Sequence, residues 1–413
     1  MYQPPACRRR LPLRHDPLSP QFRLTVIQRD RRWVCAFGLL LVFSLLAGCQ
    51  PREAEFRSDP VLGVLHGLTA GQQRQIASAL ERAFGAPDEP RLPPAAEGLL
   101  DLELLRQAAG PVVSHEAGVT LGLYRRHCAD CHGLSGDGAG PTSLYQDPYP
   151  RDLRRGVFKW KSTYRNRPPT TGDLLGVLQR GVPGTAMPSF ELVAETERAT
   201  LVEYVKYLAI RGQLERELAW FVAEELGPGE AIDDGLVEQL LSPIVEAWRE
   251  APQRVLVAEE PSDWMNAEHL AAGHDLFHGE RAGCAKCHGA EGEGLVASGA
   301  VSLDDYDVWS RERREAALKA ETDDERAALA TALPPVTAAP GPITPGSLRG
   351  GEEPIDLYRR VHQGVAGAPM PAVGPTEGEA SGALSDNEIW ELAAYVASLA
   401  EVGSPPVSAD KNE

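Results

Sequence analysis

The sequence predicts an all-α fold in which two copies of one helical domain are joined by a helical connector, behind an N-terminal extension. Three observations carry this. "GVPGTAMP" at 181–188 and "GVAGAPMP" at 364–371 agree at five of eight positions. Beyond each, Leu201, Tyr204, Val205, Leu208 and Leu392, Tyr395, Val396, Leu399 repeat one i, i+3, i+4, i+7 stripe, the apolar face of a helix. Upstream of each, Cys-x-x-Cys-His recurs, as "HCADCHG" at 127–133 and "GCAKCHG" at 283–289.

In chain order, residues 1–48 read as a signal segment. Arg31 and Arg32 precede an apolar run of 16 residues, Trp33 to Gly48, ending in "LLAGC" at 45–49. The run is shorter than the ~20 residues a membrane span needs. It is similar to a bacterial lipoprotein signal, in which small Ala47 and Gly48 admit the peptidase and Cys49 takes the lipid. Residues 49–115 form the N-terminal extension, with a helix predicted over 69–84 from Ile76, Leu80 and Phe84 and no visible chemistry. The first copy spans 116–212. A connector rich in Glu, Leu and Ala follows at 213–262, and "LVEQLLSPIVEAW" at 236–248 is predicted to break at Pro243. The second copy spans 263–400, its last helix starting near Asp386 behind a capping box, Ser385 to Glu388. Within it, 301–340 is a charged helical insertion that reads as a solvated decoration. Residues 401–413 read as a flexible tail.

Without residues 1–48 the chain keeps 33 basic and 57 acidic residues, and 33 minus 57 gives −24. That argues against nucleic acid and for soluble partners with basic docking faces. Cys7 and Cys35 leave with the signal and Cys49 carries the lipid, so Cys128, Cys131, Cys284 and Cys287 remain. In an oxidising compartment two such pairs can be disulfides or redox sites. The histidine after each pair weighs against that.

Four cysteines can also hold one zinc, but Cys131 and Cys284 belong to different repeats, so a shared ion would have to join two complete domains. A thioredoxin-like motif needs a βαβ context that neither pair has. Haem fits every part of the motif: two thiols add to two vinyl groups while His132, or His288 in the second copy, reaches the iron. A sixth ligand must come from a loop wrapping the far face. Met187 and Met370 occupy matched positions in Gly-rich, Pro-flanked loops, and the chain has only four Met. Basic residues in "PRDLRRGVFKWKS" are placed to hydrogen-bond propionates, with Arg151, Lys159 and Trp160 the candidates.

These stretches, with "GLYRRHCADCHGLSGDGAGP", "GHDLFHGERAGCAKCHG" and "PIDLYRRVHQGVAGAPMPAVG", resemble class I c-type cytochromes, specifically diheme lipoproteins with two such domains. The resemblance covers about 116–212 and 263–400. It implies an N-terminal helix crossing a C-terminal one in each domain, with Tyr124 on the Tyr204 helix and Phe277 on the Tyr395 helix. The second copy departs by placing six residues between Phe277 and Cys284 where the first has three between Tyr124 and Cys128.

The expected cofactors are two covalently bound haem c groups, and the expected function is electron carriage, because His and Met on both sides of an iron leave no position for substrate. A lipid anchor would hold the carrier at the periplasmic side of a membrane in the bacterial cell envelope. Its partners there would be a quinol-oxidising complex, a dehydrogenase or a terminal oxidase. One rival reading is a diheme peroxidase, which His278 and His362 keep open. Another is a tethered subunit of a respiratory complex that docks through residues 50–115.

Overall fold

In the computed structural model, described for residues 54–114, 120–227, 229–294, 306–343, 345–346 and 348–402, the extension contributes three helices. These are α1 (Pro60–Leu65), α2 (Ala70–Phe84) and α3 (Leu102–Ala108). Helix α2 starts at a capping box, Thr69 with Gln72, and buries the predicted Ile76, Leu80 and Phe84. A short hairpin pairs β1 (Val113–Ser114) with β2 (Thr120–Leu121). The signal segment, Cys49, His115 and residues 403–413 lie outside the described residues.

The first repeat consists of α4 (Leu123–His127), α5 (Ala129–His132), α6 (Thr171–Arg180) and α7 (Glu195–Glu224). Its predicted crossing is present, with the Tyr124 and Tyr204 rings 4.8 Å apart. Helix α7 is 30 residues long and carries the repeat into the connector without a break. It buries Glu203, Lys206, Arg211 and Glu215 as well as apolar residues, because the extension covers the face that would otherwise meet water. Asp101 N donates to Glu203 Oε1 at 2.8 Å, Asp59 N to Glu215 Oε1 at 2.8 Å and Tyr207 Oη to Phe84 O at 2.5 Å. Phe84 and Leu105 share one core with Tyr124, Leu201 and Leu208. Much of the extension's apolar surface is therefore packed against the first repeat.

The connector's second helix, α8 (Asp234–Glu250), runs through Pro243, against expectation. Pro243 and Gln239 are both exposed, so the carbonyl freed by the missing N–H meets water. Val237, Leu241, Val245 and Trp248 hold the opposite face in the core.

The second repeat consists of α9 (Ala267–His278), α10 (Ala285–His288), α11 (Val308–Lys319), α12 (Asp323–Leu329), α13 (Pro354–Gln363) and α14 (Asp386–Val402). The Phe277 and Tyr395 rings are 5.3 Å apart, repeating the crossing, and the box expected before α14 is formed by Ser385 and Glu388.

In the charged insertion, expected to be a solvated decoration, α12 buries no residue but α11 is docked. Glu312 on α11 takes Arg155 of the first repeat at 2.5 and 2.6 Å and Arg216, on the connector end of α7, at 2.9 Å. Beneath them Val61 and Val64 of α1 pack on Ala316. A helix read as polar from its sequence is thus covered by partners of opposite charge.

Candidate cofactor sites

Both Cys-x-x-Cys-His segments fold as one tight helical turn. His132 N donates to Cys128 O at 2.8 Å, and His288 N to Cys284 O at 2.9 Å. The chain then returns identically: Gly138 N donates to His132 O and Gly294 N to His288 O, while Leu153 N and Ile343 N donate to Gly136 O and Gly292 O, both at 2.7 Å. None of these four cysteines is in a disulfide.

The methionine loops also share a geometry. Val182 N donates to Met187 O at 3.1 Å and Val365 N to Met370 O at 3.2 Å. Gly181 and Gly364 open the loops at φ 68° and 61°. A Cβ there would fall 2.6 Å from Pro188 C, or 2.3 Å from Pro371 O, so the path is closed to larger residues.

In the first domain these parts converge. Cys128, Cys131, His132 and Met187 line one cavity of about 220 Å³, walled by apolar groups that include Phe158, Leu174, Leu178 and Val205. Arg151, Lys159 and Trp160, the propionate candidates, line it too. Arg151 O accepts from His132 Nδ1 at 2.9 Å. A carbonyl can only accept, so the Nδ1 carries the proton and Nε2 keeps its lone pair, as an iron ligand requires. Burial lowers the His132 pKa and pushes the Cys128 thiol up to about 12. An apolar slot with two thiols, a neutral imidazole, a thioether and a cationic edge fits a haem with covalent attachment and two charged propionates.

The second set is spread over two segments of one core. Cys284 and Ala285 pack against the cluster that also holds Leu357 and Tyr358 of α13, and Met370 stands in the loop beyond α13. Cys287 is exposed. His288 Nδ1 is buried without a partner, and burial lowers its pKa. The rival ligands lie elsewhere. His278 turns both ring nitrogens to carbonyls, His274 O at 2.9 Å and Ala290 O at 3.0 Å. His362 is 2% exposed, wedged beside Tyr358 and against Gly374.

Several lining residues carry no signal in the sequence. His127 faces the first cavity with Nε2 buried and unpartnered, but the second copy has Gly283 at that position, so the repeat does not flag it. Tyr124, expected only to pack on the Tyr204 helix, also lines the cavity and anchors its hydroxyl on Gly133 O at 2.9 Å. Asp307, Trp309 and Arg349 come from the second domain. Asp307 Oδ2 meets Lys159 Nζ at 2.9 Å and Trp309 Nε1 at 3.1 Å.

Two helical domains with this turn and this loop define a tandem protein built for covalent haem. The chain belongs to the cytochrome c family: the family model for cytochrome c matches residues 121–209 and 270–400, together more than half of the chain. It is a c-type cytochrome of two domains, and domains of this family bind covalently attached haem c. No curated protein matches it in sequence. Among solved structures it is similar to a chain of the Kuenenia stuttgartiensis reducing HAO-like protein complex, at 25% identity over 68% of this chain and 94% of that one, with a TM-score of 0.42.

Proposed function

We propose that the protein is a two-haem electron carrier, not an enzyme, anchored through lipid on Cys49 to a membrane of the bacterial cell envelope and facing the periplasm. The observation that carries this reading is the convergence of Cys128, Cys131, His132 and Met187 on one cavity. Cys128 and Cys131 bind the first haem and Cys284 and Cys287 the second. His132 and His288 are the fifth ligands, Met187 and Met370 the sixth. When bound, each haem supplies one reversible electron. The chain's own residues fix each iron's ligands, exclude water with apolar walls, and set cations at the cavity edge: Arg151 and Lys159, with Trp160, toward propionates.

Closure of both axial positions favours transfer over catalysis. Of the two histidines that the peroxidase reading invokes, His278 faces carbonyls with both ring nitrogens, and His362 is buried beside Tyr358. The packing of the extension on the first repeat weighs against the tethered-subunit reading. Partners are redox proteins with basic faces, such as a quinol-oxidising complex, a dehydrogenase or a terminal oxidase, steered by the acidic charge. Among the described residues no helix is long and apolar enough to cross a membrane.

Mass spectrometry of the denatured protein tests the cofactor assignment. Two covalent haems are expected, falling to one when Cys128 and Cys131 are replaced together. Electron exchange with a basic redox protein should slow as salt rises, and salt-independent exchange would count against the docking reading.

A further inference from the structure

The two domains exchange arginines at their methionine loops. Arg165, in the segment leading into α6, reaches from the first domain into the second. Its Nη1 donates to Gln363 O at 2.8 Å and Met370 O at 3.1 Å, and its Nη2 to Ala368 O at 3.5 Å. Arg349, in the segment leading into α13, reaches back, and its Nη2 donates to Gly184 O at 3.1 Å. Both arginines lie in corresponding segments of the repeat, just before the helix that ends in the domain's own methionine loop. Each serves the loop of the other domain.

Within itself the second loop is held more lightly than the first, which adds Thr185 Oγ1 donating to Val182 O at 2.8 Å and accepting from Met187 N at 3.1 Å. The second has Val365 N on Met370 O and Ala368 N on Val365 O. Much of the rest comes from outside its core: Gln363 Nε2 donates to Thr163 O at 2.9 Å, and Val308 N of the insertion donates to Gly367 O at 2.9 Å. A segment with few internal bonds opens easily unless it is clamped. A planar guanidinium bonded to three carbonyls is a rigid clamp, one that a lysine ammonium reproduces only in part.

We infer that Arg165 and Arg349 are positioning residues for the sixth ligands, each holding the other domain's methionine loop shut, so that ligation at either iron depends on the docking of both domains. The inference rests on Met187 and Met370 as the sixth ligands and adds that their closure is controlled from the neighbouring domain. Any partner that separates the domains would then open both positions together.

The test uses the full chain carrying both haems, with Met187→Ala throughout so that the near-infrared sulfur-to-iron charge-transfer band reports the second site alone. Imidazole is titrated until that band is halved. Since each lost bond is worth about a factor of five, Arg165→Ala should lower the halving concentration about tenfold or more, with Arg165→Lys falling between. In a Met370→Ala background, where the band reports the first site, Arg349→Ala should lower it about fivefold while Arg165→Ala leaves it unchanged. General loosening of the fold would move both sites, and if Arg165→Ala does so, or moves neither, the inference is overturned. If the Met187→Ala protein shows no band before any arginine is changed, the ligation reading itself falls, and the clamp with it.

Discussion

Asp307 Oδ2 stands 2.9 Å from Lys159 Nζ, so a carboxylate of the second domain closes the cationic edge of the first domain's cavity. The pair is largely buried, at 21% and 9% side-chain exposure for Lys159 and Asp307. Arg151 and Arg349 line the same cavity, which leaves Asp307 as the counter-charge.

Asp307→Asn removes that charge and should raise the reduction potential of the first haem by a few tens of millivolts, because an oxidised iron gains most from a nearby anion. The second haem should not move. An optical redox titration resolving the two haems decides it, and equal shifts in both would mean that the substitution acts through the fold rather than the local field.

Glu312 bridges Arg155 and Arg216 across the two domains. Removing the carboxylate leaves two partly buried cations facing each other, so Glu312→Gln should destabilise docking of the insertion by up to about 3 kcal/mol. Denaturant unfolding should then separate into two transitions. A single transition at the wild-type midpoint would show that the bridge contributes nothing.

His362 is a buried histidine whose pKa is lowered from 6.5 by burial, partly offset by Asp386. The unfolded chain takes up its proton near pH 6.5 while the folded chain does so only at lower pH. Stability of the second domain should therefore be constant above that value and fall as pH drops below it, by up to about 1.4 kcal/mol per unit, until the folded pKa is reached. Denaturant midpoints at pH 7.5 and 5.5 (roughly one unit either side of the unfolded value) should converge in His362→Gln. An unchanged slope would place the acid sensitivity elsewhere.

Cys49→Ala should release the protein from membranes, since the lipid is the proposed anchor. Fractionation with mass spectrometry of the mature N-terminus reads this out. Retention of the variant in the membrane fraction, with a native N-terminus upstream of Arg31, would contradict it.

What was legible in the sequence was local or periodic. The turns at Cys128 and Cys284, the loops at Met187 and Met370 and the stripes through Tyr204 and Tyr395 rest on neighbours a few positions apart, and the structure repeats them bond for bond. What escaped depends on partners chosen across the chain. Glu312 finds Arg155 at a separation of 157 positions, and nothing in a charged helix says which cation will cover it. The length of α7 was hidden because Glu203, Lys206, Arg211 and Glu215 interrupt its apolar pattern, yet the extension meets them: Asp101 N and Asp59 N donate to the two glutamates, Lys206 donates to Leu99 O, and Arg211 lies over the Phe56 ring. Pro243 misled for a related reason: its cost depends on whether the freed carbonyl meets water, which is a property of the fold.

The central claim, that each domain holds a haem closed by its own histidine and methionine, is tested most directly by near-infrared magnetic circular dichroism with EPR on the oxidised full-length protein. Both haems should be low-spin and the sulfur-to-iron charge-transfer band should have two contributions, Met187→Ala removing one and Met370→Ala the other. A high-spin haem that reduces peroxide rapidly and is indifferent to both substitutions would contradict the account.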